Sequence, residues 1–365
     1  EMVAADGRRV LALATRTFPP TKPSLAFGDV DRGLTLLGIA GLIDPPRAEV
    51  IAATAECRKA GVEVKMITGD HAVTACAIAR ELGLAAADRV LTGQDIDRLD
   101  AAELQKAASQ TNVFARTSPE HKLRLVEVLQ AGGAVIAMTG DGVNDAPALK
   151  RADVGVAMGS TGTEAAKEAA DMVLADDNFA SIVAAVREGR TVYDNITKVI
   201  GWTLPTNGGE TLIVVAAILL GLTLPMSPAQ ILWINLMTDG LPALALSLEP
   251  PEPGVMSRPP GRAGESILSW RLSFVILFQG LLVALVAIVA FGLSLQHEPD
   301  QVDRARSMTF CVVVYAELFR ALAARSPTLT LGQLGFWTNP QLLLAIAVSG
   351  LLQVSVAVFP FTQRV

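Results

Sequence analysis

The stretch AVIAMTGDGVNDAPALK, Ala134–Lys150, runs an apolar strand into a loop that carries Gly140, Asp141, Gly142, Asn144 and Asp145. Carboxylates and glycines at the end of a buried strand suit a magnesium ion and a phosphate group. Asp supplies hard oxygen ligands, and Gly lets backbone N–H groups approach the anion. The triplet Thr-Gly-Asp that closes this strand, Thr139–Asp141, also occurs at Thr68-Gly69-Asp70, after the apolar segment VEVKMI. Two such triplets at strand ends point to phosphate more strongly than either alone, because Gly-Asp by itself also makes ordinary turns. FARTSPEHK adds Arg116 and, at the start of a helix, Lys122, whose charge suits a phosphoryl group in transfer.

These residues need strands that end together. Apolar segments rich in β-branched residues end in Gly or Asp at LLGIAGLID, closing on Asp44, and at VEVKMITGD and GAVIAMTGD, and ADVGVAM and ADMVLADD follow. Helical patterns lie between them at 47–60, 71–82 and 118–131. The alternation predicts a Rossmann-like parallel sheet with helices on both faces, and ligands collect beyond the carboxyl ends of such strands.

Composition divides the chain. Of its 365 residues 51% are hydrophobic, but charged helices alternate with short strands only up to about Arg190, and long apolar runs dominate beyond Val199. An α/β domain followed by an all-α transmembrane domain is expected. The net charge of −6, with scattered basic residues, argues against nucleic acid. Cys57, Cys76 and Cys311 stand singly, without the spacing of a zinc site or a disulfide framework.

Five apolar spans can be drawn, at about 199–222, 229–248, 267–295, 308–324 and 340–358, each near the roughly 20 residues that cross a bilayer. Arg258, Arg262 and Arg271 follow the second span and Arg325 follows the fourth, which places these links and the α/β domain on the cytoplasmic side. Within the spans, Asn207 and Glu210 are three apart, Asn235, Thr238 and Asp239 stand at i, i+3 and i+4, and Glu317 adds a third carboxylate. Such groups are costly at membrane depth and mark ion pathways. Pro205 with Gly208-Gly209 is expected to interrupt the first span, and Gly240 with Pro242 the second, freeing carbonyls beside the side-chain oxygens. The bland reading, hydrogen bonds between helices, suits Thr238 or Asn207 alone better than Glu210 with Asp239.

MTGDGVNDAPALKRADVGVAMG, MITGD, DPPR at Asp44–Arg47 and FARTSPEHK together closely resemble the phosphorylation domain of P-type cation-transporting ATPases, a haloacid-dehalogenase-like fold. The resemblance implies ATP and magnesium as cofactors. It implies that Asp141 holds magnesium with Asp145 in support, that Thr68, Gly69 and Asn144 contact the phosphoryl group, and that Lys122 balances its charge. Asp70 and Arg116 would lie near the nucleotide. GRRVLALATRTFPP looks like the tail of the family's nucleotide-binding domain, with Arg9 toward the ATP phosphates. The implied domains are 1–30, 31–190 and 191–365.

NGGE and ILWINLMTDGLPALALSLEPPE look like the fifth and sixth membrane helices of calcium pumps, with Asn207, Glu210, Asn235, Thr238, Asp239 and Glu317 on ligand positions. Calcium is therefore the expected cargo, with manganese, sodium and proton as alternatives. The family is phosphorylated on the Asp of a DKTGT motif, yet no Asp-Lys pair occurs here, and the TGE motif is missing. The expectation is a C-terminal portion that turns over no ATP without its missing N-terminal part. A membrane-anchored phosphatase of the same fold is the rival reading.

Overall fold

A computed structural model describes residues 9–18, 24, 26–42, 45–261 and 266–359. The chain divides into two compact units, Glu1–Ala185 with Met256–Ala263, and Val186–Val255 with Gly264–Val365.

In the first unit, β1 (Arg9–Thr15) pairs antiparallel with β2 (Thr35–Leu42), from Arg9 opposite Leu42 to Thr15 opposite Thr35. Then follow α1 (Ala48–Lys59), β3 (Met66–Ile67), α2 (Ala72–Glu81), β4 (Val90–Thr92), α3 (Gly93–Arg98), α4 (Ala101–Ser109), β5 (Val113–Ala115) and α5 (Pro119–Ala131). The unit continues through β6 (Ala137–Gly140), α6 (Ala146–Arg151), β7 (Val154–Met158), α7 (Glu164–Ala169) and β8 (Met172–Leu174). Strands β3, β5 and β4 form one parallel sheet with β5 central, and β6, β7 and β8 form another with β7 central.

This corrects the expectation of a single sheet. The run ending at Asp44 is apolar throughout and reads as a buried parallel strand, yet among the described residues β2 pairs only with β1 and leaves Leu36, Leu37 and Ile39 exposed. Asp44 itself lies outside the described residues. The two parallel sheets nevertheless share a core. Ile67 packs both against Ile96, Leu104, Phe114 and Leu125 and against Val126, Met138, Leu149 and Ala157.

Backbone groups at the sheet margin are held by side chains. The carboxylate of Asp153 accepts the N–H of Ile136 at 2.8 Å and an amide N–H of Gln130 at 3.1 Å, and these bonds hold its pKa below the ordinary carboxylate value. A depressed carboxyl pKa contributes stability above the unfolded value, near about 3.9, and loses it as pH falls through the lower folded value. Asp153→Ala should therefore lower the thermal midpoint at pH 7 by roughly 2–4 °C. The deficit should shrink below about pH 4, and a deficit that stays constant down to pH 2 would show that the charge plays no part.

The second unit begins within α8 (Phe179–Leu219) and continues with α9 (Pro228–Trp233), a π turn (Ile234–Thr238), α10 (Gly240–Ser247), α11 (Trp270–His297), α12 (Val302–Ala323) and α13 (Pro340–Val358). Among the described residues, α11 and α13 are each long and apolar enough to cross a membrane. Outward-facing Phe274, Leu277, Phe278, Leu281 and Leu285 make α11 a surface suited to lipid. Its inward side packs Ala284 and Ala287 against Ile213, Phe310, Val313 and Val314.

The expected interruption of the first span is not found: α8 is one helix of 41 residues with Pro205 inside it. The irregularity is absorbed by neighbours. The hydroxyl of Thr206 and the guanidinium of Arg320 both donate to the Trp202 carbonyl, at 3.3 and 3.2 Å. Gly209 lies so close to α11 that a Cβ there would stand 3.1 Å from Val283 and 3.3 Å from the Gly280 carbonyl. The glycine thus serves close helix packing, as small residues do in membranes. The second span is irregular too, but not at Gly240 and Pro242, which lie within α10: the irregularity is the π turn before them, in which the Asp239 N–H reaches the Ile234 carbonyl. Asn235, Thr238 and Asp239 therefore do not follow the regular α-helical face assumed from their spacing.

Candidate functional site

The loop after β3 is clamped to the loop after β5. The Thr68 carbonyl accepts from the N–H and the hydroxyl of Thr117, and the Arg116 N–H donates to the Asp70 carbonyl at 3.1 Å. Arg116 adopts φ 55°, a left-handed conformation costly for a residue with a Cβ. Within the triplet, the Thr68 hydroxyl donates to the Asp70 carboxylate at 3.0 Å and accepts the Asp70 N–H at 3.1 Å. Gly69, Asp70 and the Arg116 side chain are exposed.

Helix α5 presents Lys122. Ser118 caps it by accepting the His121 N–H, His121 Nδ1 accepts the Ser118 N–H at 2.9 Å, and Pro119 fits the first turn, where its lost donor is not needed. This fixed turn aims Lys122 at the loop after β6. Its Nζ donates to Asp145 Oδ1 at 2.5 Å, while Asp145 Oδ2 accepts the Gly142 N–H at 3.4 Å. A Cβ on Gly140 would meet Asp145 Cβ at 2.5 Å, so only glycine allows this folded-back loop.

Asp145 is therefore buried and already paired, whereas Asp141 is exposed and no hydrogen bond reaches its carboxylate among the described residues. A hard cation fits that donor set, with Asp141 the ligand in reach and Asp145 the fixed charge behind it. Asn144 is exposed on the same loop. Because Ile67, Val126 and Met138 share one cluster, β3, β6 and α5 pack around a common core. The side chain of Arg9 lies outside the described residues.

In the second unit, Glu210, Asp239 and Glu317 are each 5% exposed or less. Asn235 donates to Glu210 Oε2 at 3.1 Å and also to the Ile231 carbonyl. Among the described residues, Glu210 Oε1, both oxygens of Asp239, both of Glu317 and Asn207 Oδ1 are buried without a hydrogen-bond partner. The charges of Glu210, Asp239 and Glu317 act on one another. Orphaned oxygens in an apolar bundle cost stability unless something cationic meets them. Among the described residues no three Asp, Glu, His or Cys side chains form a closed metal cage, so an ion here needs amide or main-chain oxygens as well.

The sequence reading missed Arg320, whose charge acts on Glu317 and Asp239. Its signal was the one Arg in the span at about 308–324, three residues after Glu317.

Comparison with known proteins gives matches over both units. Residues 5–153 and 123–186 match models described as haloacid dehalogenase-like hydrolase, and residues 223–365 match one described as cation transporting ATPase, C-terminus. The chain is 43% identical over 365 residues to a calcium-transporting ATPase of Bacillus subtilis, covering 100% of this chain and 41% of that protein. It is 46% identical over 371 residues to a probable cation-transporting ATPase F of Mycobacterium tuberculosis, again covering 100% of this chain and 41% of the relative. A calcium-transporting ATPase of Lactococcus lactis is 42% identical over 366 residues, with the same coverage of 100% and 41%. The chain thus spans about two fifths of the length of the curated relatives it matches.

Proposed function

The chain belongs to the P-type cation-transporting ATPases, and from that premise we propose that it forms the phosphorylation-site loops and most of the ion site of an ATP-driven pump whose cargo is calcium. The reading rests chiefly on one observation: an α/β unit with a lysine held on the GDGVND loop is followed by a helical unit whose buried carboxylates keep oxygens without a hydrogen-bond partner among the described residues. A membrane-anchored phosphatase would use the first feature and leave the second unexplained.

In this reading residues 1–30 end a nucleotide-binding domain, 31–190 form the phosphorylation domain and 191–365 the membrane domain, with the five spans drawn from sequence. The phosphorylation domain is cytoplasmic, as the basic links after the second and fourth spans favour. Asp141, backed by Asp145, holds Mg2+, which when bound neutralises phosphate charge and polarises the phosphorus toward attack. Lys122, positioned by its pair with Asp145, faces the transferred group and offsets the charge that grows on its oxygens. Thr68, Gly69 and Asn144 orient that group with short polar contacts, and Asp70, Arg116 and Arg9 face the nucleotide. In this reading the phosphorylated carboxylate lies on another segment of the pump. In the membrane, Asn207, Glu210, Asn235, Thr238, Asp239 and Glu317 supply oxygens to the transported ion.

The test is acid-quenched labelling of the full-length protein by the γ-phosphate of ATP in native membranes, with and without micromolar calcium. A calcium-dependent, acid-stable band much larger than 38.3 kDa is expected. Labelling indifferent to calcium would remove calcium as the cargo, and absence of acid-stable label with any cation would remove the pump.

A further inference from the structure

Helix α3 is six residues long and carries none of the groups assigned to phosphate, magnesium or nucleotide, yet it is fixed at both ends. Thr92 and Asp95 cap it reciprocally, Ile96 is buried with Phe114 and Leu125, and the Arg124 guanidinium holds the carbonyls of Ile96 and Leu99 at 2.7 and 2.5 Å. From this fixed helix Asp97 Oδ1 meets His121 Nε2, in the first turn of α5, at 2.8 Å. The other ring nitrogen sets the direction of that bond. Nδ1 accepts the Ser118 N–H at 2.9 Å and so carries no proton, which leaves the proton on Nε2, donated to Asp97. The ring also seats the neighbouring turn. A Cβ on Gly93 would stand 2.8 Å from His121 Cε1 and would overlap the Arg116 carbonyl, so only glycine lets α3 approach both. Arg116, left-handed at φ 55°, is thus gripped from two sides, its N–H by the Asp70 carbonyl and its own carbonyl against Gly93.

We infer that Asp97 and His121 are positioning residues for phosphoryl transfer: the carboxylate holds the imidazole, the imidazole holds the first turn of α5, and that turn sets where Lys122 Nζ stands. The inference rests on the reading of Lys122 as the group that faces the transferred phosphoryl. Folding stability does not account for the pair. The Asp97 side chain is 65% exposed, and removing a polar group at such a position changes stability little. A misplacement of about 1 Å in a reacting site, by contrast, costs up to roughly 10²-fold in rate.

The experiment is single-turnover labelling of the full-length protein by the γ-phosphate of ATP at saturating calcium, over a range of ATP concentrations, beside a thermal melt. Asp97→Ala should lower the saturating rate by about tenfold and leave the ATP concentration at half-maximal rate within about twofold, because Lys122 acts on charge that grows during the transfer. Asp97→Asn keeps an acceptor oxygen for Nε2 and should recover the rate to within about threefold of wild type. His121→Phe keeps a ring on Gly93 without its nitrogens and should lose at least as much rate as Asp97→Ala. Adding Asp97→Ala to His121→Phe should then change nothing further, since the carboxylate acts through the imidazole. A wild-type saturating rate in folded Asp97→Ala or in folded His121→Phe, even with a lowered melt, would make the pair structural only and overturn the inference; if one variant fails to fold, the other decides. Equal losses from Asp97→Ala with and without His121→Phe would overturn it too. Wild-type labelling of Lys122→Met would instead remove the reading of Lys122, and the inference with it.

Discussion

Lys122→Met in the full-length protein is expected to lower the rate of phosphoenzyme formation by about 10³-fold, the scale of losing one positioned charge in phosphoryl transfer. Two features of the site make the effect large. The Nζ is placed before any ligand arrives, because the Ser118 cap and Pro119 fix the first turn of α5 and Asp145 holds the ammonium at 2.5 Å. A preorganised charge costs no reorganisation when negative charge grows on the transferred group. The substitution also strands Asp145, whose side chain is 7% exposed, and an uncompensated buried carboxylate costs about 3 kcal/mol.

These two effects can be separated. Lys122→Met with Asp145→Asn should recover most of the thermal stability and none of the rate, whereas Lys122→Arg should keep the charge and lose part of the placement. Single-turnover labelling alongside a thermal melt reads both. Labelling of Lys122→Met at the wild-type rate, in a folded protein, would remove Lys122 from the chemistry.

The loops that carry this chemistry were legible because their signal is local: an apolar strand stopping at Gly-Asp needs no knowledge of its neighbours. The sheets were less so. Strands β4 and β5 are three residues each, too short to show a period, although Val113 and Phe114 are buried in the central strand of their sheet. Strand β2 misled for the opposite reason. Its unbroken apolar run resembles a strand covered on both faces, but hydrophobicity alone names no partner.

The membrane helices failed in a similar way. Pro205 and Gly208-Gly209 are breakers in isolation, and α8 stays whole because Thr206, Arg320 and the closeness of α11 compensate from outside the local sequence. The side-chain oxygens of the candidate ion site were visible as polar residues in apolar runs. Arg320 is just as visible in the sequence, but a positive charge gives no signal of a cation site.

The other large effect is expected far from either set of oxygens, at Arg325. This side chain is 1% exposed and sends Nε and Nη2 to Glu249 Oε1 at 2.9 and 2.7 Å, Nη2 also to Thr338 Oγ1, and Nη1 to the carbonyls of Gly335 and Phe336. Glu249 Oε2 accepts from Asn339 at 2.6 Å, and its carbonyl accepts from Asn195 on α8 at 2.7 Å. One guanidinium therefore ties the residues after α12 to those before α13 and after α10. Arg325→Met should destabilise the helical unit by about 3–5 kcal/mol, because it leaves a buried carboxylate with one neutral donor and takes a donor from the carbonyls of Gly335 and Phe336. Arg325→Lys should recover only part, since an ammonium cannot reproduce the planar fork. Replacing both partners, Arg325→Met with Glu249→Leu, should cost much less than Arg325→Met alone, because the penalty lies in the stranded charge more than in the lost attraction. Thermal unfolding in detergent compares the three variants. A double variant no more stable than Arg325→Met would mean that the fork to Gly335, Phe336 and Thr338, rather than the ion pair, holds these segments together.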